Sequence, residues 1–492
     1  MDIFANLLTG TLQAFHEYTL IYCLLGALLG VFVGVLPGIG TATALSLLLP
    51  MTFKLELIDS LVLLCGVYYG VQYGGAVPSI CINIPGSPTA AITCIEGYEM
   101  AKKGRAGVAL TASAVSSFLG GIFGVLLMCI FAPSIANLAI KFGPSEYFSI
   151  MLFTLIITAS IQETNLLKNF IMIAFGILLG MTGIDVNTGV NRFTFGFLNL
   201  SDGINIIILI SGLFGIGEIL YSVKQKRDGY LLKINKLIPS LEDIKKSIMP
   251  CLRGSGIGAF FGALPGTGPT ISSFVSYITE KKISKNPEQF GKGKIEGVVS
   301  PEAANNSAVQ TALIPTLSMG IPGDPIMIII LSVFMMKGIV PGPSFIHDNN
   351  QLFWILSSSF VIGNFICLIL NISLLKVWIK ITSIPYDFIF GSVIILSLLG
   401  AYTLNNNVFD VIMIGVFGIL GYLLKFYKFD LVCLVLGFCL GPSIEMFLRR
   451  GLVMYNENYY NFLTSSNISL CFLLLSFLTL LFSIYKRYSK NI

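Results

Sequence analysis

Two short runs place glycine, proline and hydroxyl side chains where an anion can be held. Leu36-Pro37-Gly38-Ile39-Gly40 is followed by Thr41 and Thr43, and Leu264-Pro265-Gly266-Thr267-Gly268 by Pro269, Thr270, Ser272 and Ser273. Each run interrupts one helix and starts another. Glycine lets the backbone approach a ligand, and the free N–H groups of a new helix carry partial positive charge. Such ends suit a carboxylate or a phosphate. Hydroxyls add neutral donors without the cost of a buried cation. The helical pattern is expected to break over Leu36–Thr43, Tyr73–Thr89, Leu264–Ser273 and Ser300–Pro325, and the second and fourth of these carry the matched runs Asn83-Ile84-Pro85-Gly86-Ser87-Pro88 and Gly320-Ile321-Pro322-Gly323-Asp324-Pro325. The candidate substrate contacts are therefore Gly38, Gly40, Thr41, Thr43, Asn83, Gly86, Ser87, Gly266, Thr267, Gly268, Thr270 and Ser272. The most polar segment, Ser300-Pro301-Glu302-Ala303-Ala304-Asn305-Asn306-Ser307, offers Asn side chains and freed carbonyls to Na⁺ and a carboxylate to balance it. Asp324 stands where the other pair has Ser87, and an acidic group replacing a neutral one at a matched place points to cation or proton coupling. Glu302, Asn305, Asn306 and Asp324 are the candidate coupling residues. Each feature has a structural alternative: Pro-Gly breaks can be packing kinks, Glu302 or Asp324 can cap a helix, and hydroxyls can bond their own backbone. Gln72, Asn83 and Asn364 suit interhelical hydrogen bonds equally well. Glu218, Glu445, Arg449 and Arg450 lie near helix ends and read as interfacial.

The elements that position these residues are membrane helices. Of 492 residues, 55% are hydrophobic and 11% charged, against about 25% charged in a soluble domain; mean hydropathy is +0.84. The apolar runs are near helix length for a bilayer of about 30 Å and do not alternate as barrel strands do. An all-α polytopic membrane protein is expected, with about 10–12 transmembrane segments plus a C-terminal helix. Soluble enzymes, secreted disulfide scaffolds and nucleic-acid binding are excluded. With two histidines, His16 and His347, no His-rich metal site is expected. No Lys or Arg precedes Lys54, so no signal peptide is expected.

The breaks are two copies of one unit. Gly30-Val-Phe-Val-Gly34 through Gly40 recurs at Gly258 through Gly268, an offset of 258 − 30 = 228. Pro78 through Pro88 recurs at Pro315 through Pro325, an offset of 322 − 85 = 237. Weaker echoes pair Pro144-Ser-Glu-Tyr with Pro385-Tyr-Asp-Phe, and Phe175-Gly176 with Phe417-Gly418. The expected organisation is a first repeat over 1–223, a basic cytoplasmic linker over 224–250, a second repeat over 251–450, and a C-terminal loop and helix over 451–492. Lys and Arg placement gives the orientation. Lys224–Lys246 holds seven basic residues, Lys281–Lys294 five and Lys102–Arg105 three; all three loops are expected inside. The counterparts of the last two, Lys54–Asp59 and Lys337–Asn349, are poor in basic residues, as in an inverted-topology repeat. Four crossings follow Arg105 and four follow Lys337, and a last helix over 466–485 returns the C-terminus to the cytoplasm. Segments 251–280 and 20–53 read as re-entrant hairpins from opposite faces, with two full tilted helices each as the alternative. Helix breaks at matching positions in two repeats are the sequence pointer to a transporter site.

Gly34-Val-Leu-Pro37-Gly38-Ile-Gly40, Tyr69-Gly-Val-Gln-Tyr73-Gly74-Gly75, Asn83-Ile-Pro85-Gly86-Ser87-Pro88, Pro301-Glu302-Ala-Ala-Asn305-Asn306 and Gly320-Ile-Pro322-Gly323 together resemble the large membrane subunit of tripartite tricarboxylate transporters, from about residue 20 to 450. The resemblance implies a secondary transporter rather than an ATP-driven one, and no Walker motif is present. It implies a carboxylate substrate, with citrate the default. It also implies work beside a small membrane subunit and a periplasmic solute-binding protein in a bacterial inner membrane. No cofactor is expected beyond a coupling Na⁺ or H⁺. A passive organic-anion channel would share the helix ends without accumulating substrate. An intramembrane enzyme finds no GxSxG, HExxH or acid with a matching base.

Overall fold

Glycines spaced four apart give two helix pairs whose backbones touch. A computed structural model describes every residue except 1–2, 17, 37–39, 163, 186, 223–237, 382–393, 396–397, 399–401, 403–405 and 491–492. In it Gly26, Gly30 and Gly34 of α2 (Thr19–Val35) lie on the carbonyls of Leu63, Val67 and Val71 of α4 (Leu57–Ile82). Gly254, Gly258 and Gly262 of α11 (Leu241–Ala263) lie in the same way on Ser300, Ala304 and Ala308 of α13 (Glu296–Thr311). The glycines differ by 254 − 26 = 228 and their partners by 300 − 63 = 237, the two offsets of the sequence motifs. In hydrocarbon there is little hydrophobic gain from helix association, so close backbone approach through small residues does the packing. A Cβ at Gly70 would stand 2.6 Å from the Ala27 carbonyl oxygen and 2.7 Å from Gly30 Cα, and backbone cannot give way. Gly70→Val should therefore cost about 1–3 kcal/mol of stability, read as a lower melting temperature of the purified chain.

The remaining helices are α1 (Ile3–His16), α3 (Gly40–Leu48), α5 (Ala91–Lys102), α6 (Ala106–Ala139), α7 (Pro144–Ile161), α8 (Leu166–Gly180), α9 (Ile206–Ile210), α10 (Gly217–Ser222), α12 (Gly268–Ile283), α14 (Leu313–Met319), α15 (Met327–Met336), α16 (Phe345–Asp348), α17 (Asn350–Ser373), α18 (Leu375–Ile381), α19 (Val408–Phe426), α20 (Leu431–Met454), α21 (Tyr459–Leu463) and α22 (Asn467–Lys490). A π turn, Ser211–Ile216, joins α9 to α10. Seven of the described helices are long and apolar enough to cross a membrane, and Thr19–Val35, Leu166–Gly180, Ile206–Tyr221 and Met327–Met336 are shorter apolar ones. The chain is an all-α polytopic membrane protein.

Two compact units share the helices. The first is Met1–Ala136 with Glu218–Gly400, the second Asn137–Gly217 with Ala401–Ile492. Each draws on both halves of the sequence. The first unit holds all four breaks, and α4 is buried along its whole apolar window at its centre. The three basic loops expected to share a face do meet. Arg105 pairs with Asp243 at 2.6 Å, and Lys103 Nζ donates to the Lys292 carbonyl. A cleft of about 440 Å³ there is lined by Arg105, Asp243, Arg253, Glu280 and Lys294, away from the breaks. Beside it Glu96 of α5, fully buried, clamps the loop before α13: Glu96 accepts from Gly291 N, from Gly293 N at 2.7 Å, from Lys294 N at 2.8 Å and from Tyr277 Oη at 2.9 Å. The two counterpart loops meet as well, Lys337 Nζ donating to the Phe53 and Leu55 carbonyls at 2.9 and 2.5 Å.

In the second unit α8 and α20 pack through Gly176, Gly180 and Gly437, each against backbone. Outward Leu474, Phe477, Leu478 and Phe482 of α22 are exposed, as lipid-facing side chains are. Strands β1 (Gly183–Ile184) and β2 (Asn191–Arg192) form a hairpin, Gly183 opposite Arg192. Its Asp185 and Arg192 join Glu445 and Arg449 of α20 in one ionic cluster; Arg192 Nη1 reaches both Glu445 oxygens at 3.0 Å and Arg449 reaches Asp185 at 3.2 Å. The Thr188 hydroxyl first, then the Asn187 amide and the two arginines, hold the Asp185 carboxyl down at about 2. Glu445 and Arg449 are thus bound to this loop.

Candidate functional site

The helix breaks are real but shorter than the sequence pattern indicates. Leu36 and Leu264 each end a helix with an N–H to the carbonyl three residues back, at 3.0 and 3.2 Å. Gly40 (φ 73°) and Gly268 (φ 69°) then open α3 and α12. Gly38 lies outside the described residues. The segment expected to break from Tyr73 is helical to Ile82, so that break is Asn83–Ser87. The segment expected to break from Ser300 is helical through Thr311 and again over Leu313–Met319, leaving Gly320–Pro325. Pro78 and Pro301 sit inside these helices, each leaving one N–H bond of its helix unmade. The Ser273 hydroxyl donates to the Pro301 carbonyl at 3.4 Å. The interruption at Ala312 falls three residues before Pro315. Segment 251–280 likewise differs from two short halves: a capping box of Ser240 and Asp243 starts α11 at Leu241 and makes it 23 residues long.

Matched residues close the ends of α4 and α14. Asn83 (φ 56°) and Gly320 (φ 71°) take the left-handed conformation, and Ile84 N and Ile321 N return to the Pro78 and Pro315 carbonyls at 3.4 and 3.3 Å. Asn83 is exposed and serves this cap. Gly86 lies on Gly75 and Gly34, and Gly323 on Ala312. Gly266 N donates to the Gly323 carbonyl at 2.9 Å, so two breaks of the second repeat form one structure. Around it the hydroxyls divide. Thr267 Oγ1 donates to the Leu264 carbonyl at 3.0 Å and Ser272 Oγ to that of Gly268 at 3.0 Å, so their protons serve the backbone. Thr41 and Thr43 are buried in α3, and Thr270 is half-buried in the first turn of α12.

Side chains of the two repeats then interlock. Ser87 Oγ is 2.7 Å from Thr89 Oγ1, which donates to Gln72 Oε1 at 2.6 Å; Asn305 Nδ2 reaches both Gln72 Oε1 and Thr89 Oγ1 at 3.3 Å. Glu302 accepts from Thr93 Oγ1 and, at 3.2 Å, from Ser117 Oγ. Asn306 Nδ2 donates to the Glu302 carbonyl at 3.0 Å. Asp324 Oδ2 accepts from Tyr68 Oη at 2.5 Å, while its Oδ1 accepts from Ile326 N and Met327 N at 2.7 and 2.9 Å. It therefore caps α15 and ties that helix to α4. Ser87, Glu302, Asn305, Asn306 and Asp324 are each at most 3% exposed. Glu302 and Asp324 hang from separate partners, Thr93 and Tyr68. Sequence reasoning missed Tyr68, Thr89, Thr93 and Ser117. Gln72 carried the one signal, a carboxamide inside an apolar run.

These paired broken helices, buried hydroxyls and two interior carboxylates in a helical membrane protein define the transporter class. The chain matches the Tripartite tricarboxylate transporter TctA family over residues 20–436 and belongs to it. It is 43% identical over 467 residues, 94% of this chain and 93% of the relative, to an Agrobacterium vitis protein described as "Uncharacterized 52.8 kDa protein in TAR-I ttuC' 3'region". A second Agrobacterium vitis protein, "Uncharacterized protein in TAR-II ttuC' 3'region", is 45% identical over 208 residues, 42% of this chain and 86% of the relative. No solved structure matches the chain.

Proposed function

We propose that the chain is the translocating subunit of a secondary active transporter that imports an organic carboxylate, citrate or a related di- or tricarboxylate, together with Na⁺ or H⁺. The supporting observation is that side chains of the two repeats bond inside the compact unit that holds the breaks, Asn305 to Gln72 and Thr89 and Tyr68 to Asp324. Substrate carboxylates meet the Gly, Ser and Thr ends around Gly38–Thr43, Gly86–Ser87 and Gly266–Thr270. The cation sits near Glu302, Asn305, Asn306 and Asp324. One repeat-derived part moves against the rest to expose the site to each side in turn. The repeats run in opposite senses, with the basic loops and the C-terminus in the cytoplasm of a bacterial inner membrane. A small membrane subunit and a periplasmic solute-binding protein deliver substrate.

Uptake of labelled citrate into proteoliposomes, with the partner subunits and an inward Na⁺ or H⁺ gradient, tests this. Accumulation above the external concentration is expected. Equilibration without accumulation would replace the carrier by a passive anion channel.

A further inference from the structure

Three carboxamides on α13 leave polar atoms with no hydrogen-bond partner among the described residues: Asn305 Oδ1, Asn306 Oδ1, and both Oε1 and Nε2 of Gln310. All three side chains are at most 1% exposed. A buried polar atom left unpaired costs about 1–3 kcal/mol, and native interiors hold few of them, so a group of them on one helix calls for an occupant. The amide nitrogens show which ends remain open. Asn306 Nδ2 is spent on the Glu302 carbonyl at 3.0 Å, and Asn305 Nδ2 on Gln72 and Thr89. What remains open on each asparagine is the carbonyl oxygen, and on Gln310 both ends of the amide. Gln310 lies one helical turn beyond Asn306, on the same face and about 6 Å along the axis. Against it stands Gly124 of α6, where a Cβ would be 2.8 Å from Gln310 Cβ; the glycine brings no side chain to pair with the carboxamide. One turn on the other side, Glu302 supplies a buried carboxylate.

The chemistry selects the occupant. A substrate carboxylate is repelled by carbonyl oxygens beside Glu302. A divalent cation prefers several carboxylates, and no group of three His, Cys, Asp or Glu exists among the described residues. A proton gains nothing from carboxamides, which do not titrate. A hard monovalent cation is satisfied by neutral carbonyl oxygens with one compensating charge nearby. We propose that Asn306 Oδ1 and Gln310 Oε1 ligate Na⁺, with Glu302 balancing its charge. The inference rests on the carrier reading above and makes Na⁺ its coupling ion, with Gln310 as a ligand.

Thermal unfolding of the purified full chain in lipid nanodiscs tests the site without transport. Melting is compared in NaCl, KCl and choline chloride at one ionic strength. Saturable stabilisation by Na⁺ alone is expected, and Gln310→Met should raise the half-saturating Na⁺ concentration about tenfold or more. Equal melting in the three salts, as ordered water in the site would give, overturns the proposal. So does a folded Gln310→Met with the wild-type Na⁺ response. If that variant fails to fold, Asn306→Ser supplies the same comparison, and the wild-type salt series decides on its own. The two readings fail separately. Citrate accumulation driven by a pH gradient in Na⁺-free medium overturns the Na⁺ site and keeps the carboxylate carrier. Na⁺-specific stabilisation without citrate uptake under any gradient does the reverse.

Discussion

Asp324→Asn should reduce gradient-driven citrate accumulation about tenfold or more while leaving the fold almost intact. The two carboxylate oxygens do different work. Oδ1 caps α15 through Ile326 N and Met327 N, and Asn caps a helix about as well as Asp does. Oδ2 accepts the Tyr68 proton across the two repeats, and a hydrogen bond to a charged group contributes about 1.5–3 kcal/mol. Asn keeps the cap and gives up the charge-assisted tie, and 1.4 kcal/mol corresponds to about a factor of ten in an equilibrium. The substitution therefore separates a helix cap from a transport role. A variant that still folds, destabilised by no more than the about 1.5–3 kcal/mol of that tie, with uptake lost, supports the transport role. Melting and uptake both unchanged would leave Asp324 as a cap only. Tyr68→Phe is the matching change from the other repeat, and its uptake should fall in parallel. A large difference between the two variants would mean that the pair does not act as one unit.

The sequence made the duplication legible because small residues at helix contacts are tied to fixed spacing. The offset of 228 carries Gly26, Gly30 and Gly34 onto Gly254, Gly258 and Gly262, and the offset of 237 carries the partners of the first set onto those of the second. The breaks were legible as well, since Asn83, Gly268 and Gly320 adopt positive φ where the motifs place them. Their extent was not. The breaks expected to begin at Tyr73 and Ser300 contain Pro78 and Pro301, yet both helices run through their prolines, which a buried helix packed on its neighbours tolerates. The cross-repeat bonds could not be read at all. Tyr68 is an aromatic among apolar neighbours, and its partner is 256 residues away. No local pattern marks such a pair. The hydroxyls were open to two readings, a ligand or the backbone. Thr267 and Ser272 have the right type and place for a ligand, yet their protons go to carbonyls of their own segment. The grouping into compact units follows contacts between the sequence halves, which linear spacing does not contain.

Glu96→Ala should cost about 3 kcal/mol or more and open the loop that precedes α13. Glu96 is fully buried, and its carboxylate is the acceptor for three backbone N–H groups and the Tyr277 hydroxyl. Each donor left buried and unpaired costs about 1–3 kcal/mol, though a loop that swings out to water recovers part of that. The net loss is still large against a typical total stability of about 5–15 kcal/mol. Gly291 and Gly293 both hold φ of 87°, a conformation that the carboxylate organises by gathering their amides. Lys285 and Lys292 are already exposed and Lys294 is half-buried; without the clamp the loop should lose its fixed shape, and trypsin should cut after Lys292 and Lys294 faster than in wild type. The effect extends to the site. Thr93 lies one turn before Glu96 on α5 and donates to Glu302, so loosening α5 displaces a donor from the carboxylate beside the proposed Na⁺ position. Glu96→Gln keeps one acceptor oxygen but turns an NH₂ toward the amides, and should fall between wild type and alanine in both melting and cleavage. Wild-type melting together with wild-type trypsin resistance in Glu96→Ala would show that the clamp does not hold the loop, and α5 would then need another anchor to keep Thr93 on Glu302.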